Sequence, residues 1–181
     1  MEIKNKKIAK PGVIWITGLS GSGKTTIAKI IYGKLKTKYS NIKYLDGDSI
    51  RKKFKIKKKN SFSYNSRKKI GLFYGKISKK YSNSGKLVLI AVMALIEDVH
   101  KSNKKNINNY KEIFLDVPTK ELIKRDPKNI YKKFFQGKYF NVAGLDLKYD
   151  RPTKPYLLIK WKKSLTKNKI ANIIIKKINF N

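Results

Sequence analysis

The chain has 181 residues, of which 40% are hydrophobic, and a formal charge of +34 from 45 Lys and Arg against 11 Asp and Glu. That length favours one domain. The absence of cysteine, with His100 as the only histidine, excludes disulfides, thiolate metal sites and most zinc or Ser-His-Asp chemistry, leaving catalysis to carboxylates, lysines, arginines and a bound cation.

Met1 to Lys10 is basic and leads into a short apolar strand rather than a cleavable leader, and no apolar run is long enough to span a bilayer. The expectation is a cytoplasmic protein with no membrane partner. Val13 to Thr17 is a continuous apolar run between Pro11-Gly12 and Gly18, which predicts a strand buried on both faces of a parallel sheet. From Thr25 to about Lys38, Ile27, Ala28, Ile31 and Leu35 recur at helical spacing. Ile42 to Leu45 is a second strand, and Asp46-Gly47-Asp48-Ser49 after it suits a tight turn and a helix N-cap. Lys52 to Asn60 is lysine-rich and without period, so it reads as a mobile basic loop before a helix from Ser66 to Tyr81 that Asn83-Ser84-Gly85 closes. Strands follow at Leu87 to Ala91, Ile113 to Val117 and, more weakly, Tyr156 to Trp161. Helices are expected at Thr119 to Lys124, at Ile130 to Phe135 and around Ile170, Ala171, Ile174, Ile175 and Ile178. This alternation predicts a three-layer α/β domain whose mostly parallel central sheet is flanked by helices, with ligands beyond the strand C-termini. The whole of 1–181 reads as one domain: a basic extension to 11, a core from 12 to 165, and a C-terminal helix and tail from 166.

Gly18-Leu19-Ser20-Gly21-Ser22-Gly23-Lys24-Thr25 fits G-x-x-x-x-G-K-[ST] without a mismatch, between a strand and a helix. Its glycines let successive amides point into one concavity at a helix N-terminus, where they would hold phosphate oxygens. Lys24 would reach the β and γ phosphates of ATP, and the Thr25 hydroxyl would ligate Mg²⁺. Asp46 and Asp48 form a close acidic pair in a chain poor in acids. One carboxylate suits holding Mg²⁺ or its waters, the other orienting an acceptor hydroxyl, and the residues leave open which does which. Arg51 would offer a guanidinium fork to an anionic acceptor, and Arg125-Asp-Pro-Lys128 with Tyr131-Lys132-Lys133 reads as a basic lid over ATP.

Trp15 to Thr26, Tyr44 to Arg51, Phe62-Ser63 with Arg67, Phe114 to Pro118, Arg125 to Lys133, and Tyr149 to Pro152 with Pro155 together resemble the adenylylsulfate kinase family, a group of P-loop kinases. The resemblance implies transfer of the ATP γ-phosphate to the 3′-hydroxyl of adenylylsulfate, with Mg²⁺, in a homodimer of the sulfate assimilation route. Lys24, Asp46 and Asp48 are then the catalytic candidates. Gly18 to Thr26 with Arg125 would bind ATP, Thr25 and Asp46 the metal, and Asp48, Arg51, Phe62, Arg67 and Lys128 the acceptor, with Phe62 against its base.

Departures from the family pattern gather on the acceptor side. Ile70, Leu72 and Phe73 replace an asparagine and arginines, Met93 to Glu97 replaces Ile-Ser-Pro-Tyr-Arg, and Val142 stands where a second base-stacking phenylalanine is expected, while Gly144 and Asp146 are kept. A lost stacking face is worth about 1 to 3 kcal/mol, so an altered acceptor is a second expectation. A branch resembling these kinases phosphorylates cytidine diphosphoramidate in building capsule phosphoramidate groups. A nucleic-acid-binding protein on a kinase-like fold is the competing reading suggested by the charge. It is not expected, because the lysines are scattered over every segment and no aromatic and basic platform stands out. A degenerate partner subunit is opposed by the intact Lys24, Thr25, Asp46 and Asp48.

Overall fold

The computed structural model describes residues 6–54 and 63–180. Five strands, β1 (Gly12–Thr17), β2 (Ile42–Asp46), β3 (Leu87–Ala91), β4 (Tyr110–Asp116) and β5 (Leu157–Lys160), form one sheet in the order β2-β3-β1-β4-β5. Every pairing in it is parallel. The helices are α1 (Lys24–Lys36), α2 (Gly47–Lys53), α3 (Tyr64–Asn83), α4 (Glu97–Asn106), α5 (Thr119–Arg125), α6 (Ile130–Phe135) and α7 (Lys167–Lys177).

β1 and β3 are buried at every position, as their unbroken apolar runs require, because helices cover both faces of the sheet. Alternate residues divide between two cores. Ile14, Ile16, Leu87, Leu89 and Ala91 pack with Ile27, Ala28 and Ile31 of α1 and Ala171 and Ile174 of α7. Val13, Trp15, Val88 and Ile90 pack with Tyr74 of α3 and Val99 of α4. The three-layer α/β expectation therefore stands, with the sheet wholly parallel.

The observed strands agree with the expected ones to within three residues at either end, and Ser63 caps α3 by accepting a hydrogen bond from the Ser66 amide. One expectation needs correction. Lys52 and Lys53 finish α2, with Phe54 as its C-cap, instead of opening a loop; the rest of that expected loop, 55–60, and Phe62 lie outside the described residues. Helix α4 fills the gap between the third and fourth strands, where helices were expected but these bounds were not drawn, because it buries only Val99, His100 and Asn103 and so shows no apolar period. His100 Nδ1 lies 2.5 Å from Glu112 Oε1 inside the α4–β4 packing, where the pair bridges helix and sheet.

Helices α3 and α4 approach closely where α3 has no side chain. A methyl at Gly71 would come within 2.7 Å of Val99 Cγ2, and one at Gly75 would overlap Asn103 Oδ1. Beyond β1 the chain passes through α1 to β2, and beyond β3 it passes through α4 to β4, so it departs in opposite directions from adjacent strands. The crevice at their C-terminal ends is the place where such sheets bind ligands.

Candidate functional site

The glycine loop occupies that crevice. Gly21 and Gly23 have φ of 78° and 90°, the left-handed region that glycine enters at no steric cost, and these turns fold the loop around the N-terminus of α1. A methyl at Gly18 would come within 2.8 Å of both Leu115 O and Ser22 Oγ, so the loop is also packed tightly against β4. Lys24 Nζ bends back over the loop and donates to Leu19 O at 2.7 Å. Burial, and then the neighbouring Lys128, lower the Lys24 ammonium to about 7, against the opposing pull of Asp48 and Asp46.

Asp46 serves two purposes. Its Oδ2 accepts from the Asp48 and Ser49 amides, each at 3.2 Å, and so caps α2. Its Oδ1 accepts from Thr25 Oγ1 at 3.3 Å. A hydroxyl and a carboxylate oxygen thus meet at the mouth of the phosphate loop, which suits Mg²⁺, a hard cation commonly held by one or two carboxylates with phosphates and waters completing its shell. Among the described residues no three His, Cys, Asp or Glu side chains come together, which agrees with that sparse kind of site and not with an all-protein cage.

Asp48 is ion-paired on both oxygens. Arg51 Nη2 pairs with Oδ1, and Lys128 Nζ reaches Oδ2 at 2.6 Å from 80 residues away. Burial raises the Asp48 carboxyl, but Lys128 and Arg51 outweigh it and hold it below the ordinary range. Arg67 donates from Nη2 to Asn141 O at 2.8 Å and lies against Met93 Sδ. Burial and the nearby Arg51 lower its guanidinium to about 10, while Asp146 pulls the other way.

The basic segment expected as a lid is organised by its one acid, Asp126. Asp126 accepts from the Ile130 and Lys132 amides, both at 2.8 Å, at the start of α6. Tyr131, almost wholly buried, donates from its hydroxyl to Ser20 O at 3.1 Å and so ties α6 to the phosphate loop. Farther along, Asp146 accepts from the Asn141 and Val142 amides at 2.7 and 2.6 Å, which fixes the strip bearing Val142.

One cavity of about 1590 Å³ is lined by Ser20 to Ile27 and by Asp46, Asp48, Arg51, Arg67, Arg125, Lys128 and Val142. Of the expected site residues, Gly18 and Leu19 lie behind the loop rather than on the cavity wall, and Phe62 is outside the described residues. Sequence reasoning missed Tyr74, Trp161, Leu165 and Thr166, which also line the cavity. Trp161 follows the C-terminal end of β5, and the rule that ligands gather beyond strand C-termini would have singled it out. The cavity exceeds the roughly 300–1,000 Å³ usual for a single ligand, and Lys24, Asp46 and Asp48 all line it. Such an arrangement can bring a terminal phosphate against a hydroxyl while excluding water.

A family model described as adenylylsulphate kinase matches residues 10–160. The chain is 34% identical over 168 residues to the cytidine diphosphoramidate kinase of Campylobacter jejuni, an alignment that covers 93% of this chain and 96% of that one. It is 31% identical over 166 residues to the adenylyl-sulfate kinase of Clostridium acetobutylicum, covering 91% and 82%. Among solved structures, the APS kinase of Mycobacterium tuberculosis in complex with AMPPNP and APS superposes with a TM-score of 0.80 at 27% identity, over 93% of this chain and 98% of that one.

Proposed function

This chain belongs to the adenylylsulphate kinase family, and from that premise we propose that it moves the γ-phosphate of ATP onto the hydroxyl of a cytidine diphosphoramidate-type nucleotide. The observation that carries the reading is Asp48 held between Arg51 and Lys128 beside Lys24 in one cavity. There a carboxylate meets the acceptor while cations meet the phosphates. The amides from Ser20 to Thr26 and the Lys24 ammonium hold the β and γ phosphates, with Arg125 and the lid above them. Thr25 and Asp46 are the residues that would hold Mg²⁺, which when bound offsets charge on the triphosphate. Asp48 exchanges one of its cation partners for the acceptor hydroxyl, orients it in line and takes its proton. Its main task is to place the hydroxyl, because phosphoryl transfer through a loose transition state depends almost entirely on positioning and electrostatics. Arg51, Arg67 and Lys128 then face the acceptor's own anionic groups.

Cytidine diphosphoramidate is favoured over adenylylsulfate by the near full-length likeness to the Campylobacter jejuni kinase and by Val142. Val142 is buried on the acceptor wall and offers an aliphatic surface where the family pattern has an aromatic one. A one-ring base needs less stacking area than adenine. Adenylylsulfate remains the second reading, favoured by the family model over 10–160. The proposal extends to a single kinase domain acting as a homodimer in the cytoplasm. Among the described residues, no helix is long and apolar enough to cross a membrane.

Purified protein with ATP and Mg²⁺ should release ADP rapidly with cytidine diphosphoramidate and slowly with adenylylsulfate. The reverse ranking would transfer the assignment to the second reading. ADP release that ignores both acceptors and vanishes in Lys24→Ala would reduce the protein to an ATPase.

A further inference from the structure

Helix α3 passes the acceptor wall with Arg67 and, seven residues later, Tyr74 on the same face. The Tyr74 ring belongs to the core formed with Trp15, Ile90 and Val92, and the residue is almost wholly buried. Filling that space needs only a phenyl ring. The hydroxyl lies on the cavity wall, where it donates to Gly47 O at 3.1 Å and accepts from Arg51 Nη1 at 3.2 Å. Gly47 is pressed close to it, since a methyl there would lie 3.4 Å from the hydroxyl and 3.1 Å from Val92 Cγ1. One oxygen therefore holds both the peptide between Asp46 and Asp48 and the arginine that pairs with Asp48.

Electrostatics supply a reason for such a clamp. Arg51, Arg67 and Lys128 converge on one cavity, and Arg51 helps to lower the Arg67 guanidinium. Like charges on one wall push apart, and an arginine held only by Asp48 would be free to swing toward solvent once Asp48 turned to an acceptor. With Nη1 on Tyr74 and Nη2 on Asp48, both outer nitrogens of the Arg51 fork are engaged before any substrate arrives. Burial pushes the Tyr74 hydroxyl up to about 12, so it stays protonated and can keep donating to Gly47 while it accepts from Arg51.

We propose that Tyr74 is a positioning residue for phosphoryl transfer, holding Arg51 and the Asp46-Gly47-Asp48 turn in the geometry that receives the acceptor. The inference deepens the kinase reading and rests on it for its kinetic consequence, while the clamp itself can be read without turnover. Tyr74→Phe keeps the ring and removes only the oxygen. Its kcat/KM for the acceptor should fall about ten- to a hundredfold, the effect of one hydrogen bond to a charged group, with KM for ATP unchanged. In an Arg51→Ala background the same substitution should cost markedly less, because only the hydrogen bond to Gly47 O then remains to be lost. Equal losses in both backgrounds would overturn the proposal.

Nitrogen-15 NMR of the arginine side chains gives an arm independent of activity. Arg51 should show slow guanidinium rotation and resolved Nη resonances in the unmodified protein, and averaged ones in Tyr74→Phe. Unchanged Arg51 resonances in Tyr74→Phe would also overturn it. If the unmodified protein turns over neither acceptor, the functional reading fails, and the resonances still decide whether the clamp exists. A thermal midpoint within about 2 °C of the unmodified protein would show that the fold is not the cause, since about 1 kcal/mol already shifts a domain of this size by 2–4 °C.

Discussion

The two ends of the cavity are built from different material. On the side proposed for ATP, the wall is backbone: an unbroken run from Ser20 to Thr25, bent by glycines and closed by the first turn of α1. On the side proposed for the acceptor the walls are side chains, with Asp48 and Arg51 from α2, Arg67 and Tyr74 from α3, Lys128 from the segment before α6 and Val142 from the strip after it. Amides cannot be exchanged by substitution, whereas side chains can, so one end is fixed in chemistry and the other is free to change its ligand. Of the departures from the family pattern, Met93 and Val142 fall on the exchangeable end, whereas Ile70, Leu72 and Phe73 pack on α3 against the core beneath it.

The sharpest way to break this comparison is to disable one end and measure the other. Asp48→Asn should lower acceptor-dependent turnover about 10²- to 10⁴-fold, the range for a removed acid or base, while the free enzyme binds ATP as tightly as before or more so. A large loss of ATP affinity would mean that the ends are not separable. Lys24→Ala should lower turnover about 10²- to 10³-fold and weaken ATP itself, with acceptor binding spared in equilibrium dialysis.

A smaller effect sharpens the same contrast through pH. Because burial and Lys128 hold the free Lys24 ammonium near 7, and a bound triphosphate must raise it, binding above pH 7 takes up a proton. ATP affinity should therefore weaken as pH rises from 7 to 9, by up to about tenfold per unit. Calorimetry in buffers of different ionisation enthalpy would register the uptake, and Lys24→Arg should abolish the slope. Smallest is Asp126→Ala, which removes the carboxylate from the Ile130 and Lys132 amides. A lost cap of this sort is worth about 1 kcal/mol, so a midpoint lowered by about 2–4 °C is expected, with a few-fold rise in KM and an unchanged kcat.

How legible each part was follows from the same division. The phosphate loop is contiguous, so one stretch of eight residues announces it. The strands were equally plain, because burial on both faces leaves unbroken apolar runs. Tyr74 was passed over because a tyrosine at helical spacing reads as core, and its ring is core. Only counting seven residues from Arg67 would have put both on the cavity face. Asp126 and Asp146 accept from amides at offsets that sequence does not advertise, so the lid looked purely basic. The bounds of α4 escaped because its contact with α3 relies on glycine gaps and Asn103 rather than on an apolar stripe. The different surroundings of Asp46 and Asp48 were out of reach, since they depend on Thr25 lying beside the first and Lys128 beside the second.

The gaps at Gly71 and Gly75 make α3 answerable to α4. Arg67 and Tyr74 ride on the same rigid rod as those two glycines, so one added methyl on the side away from the cavity would wedge the rods apart and tilt both reactive-side groups together. An alanine at either position is thus a remote handle on acceptor choice, acting at a place no ligand touches.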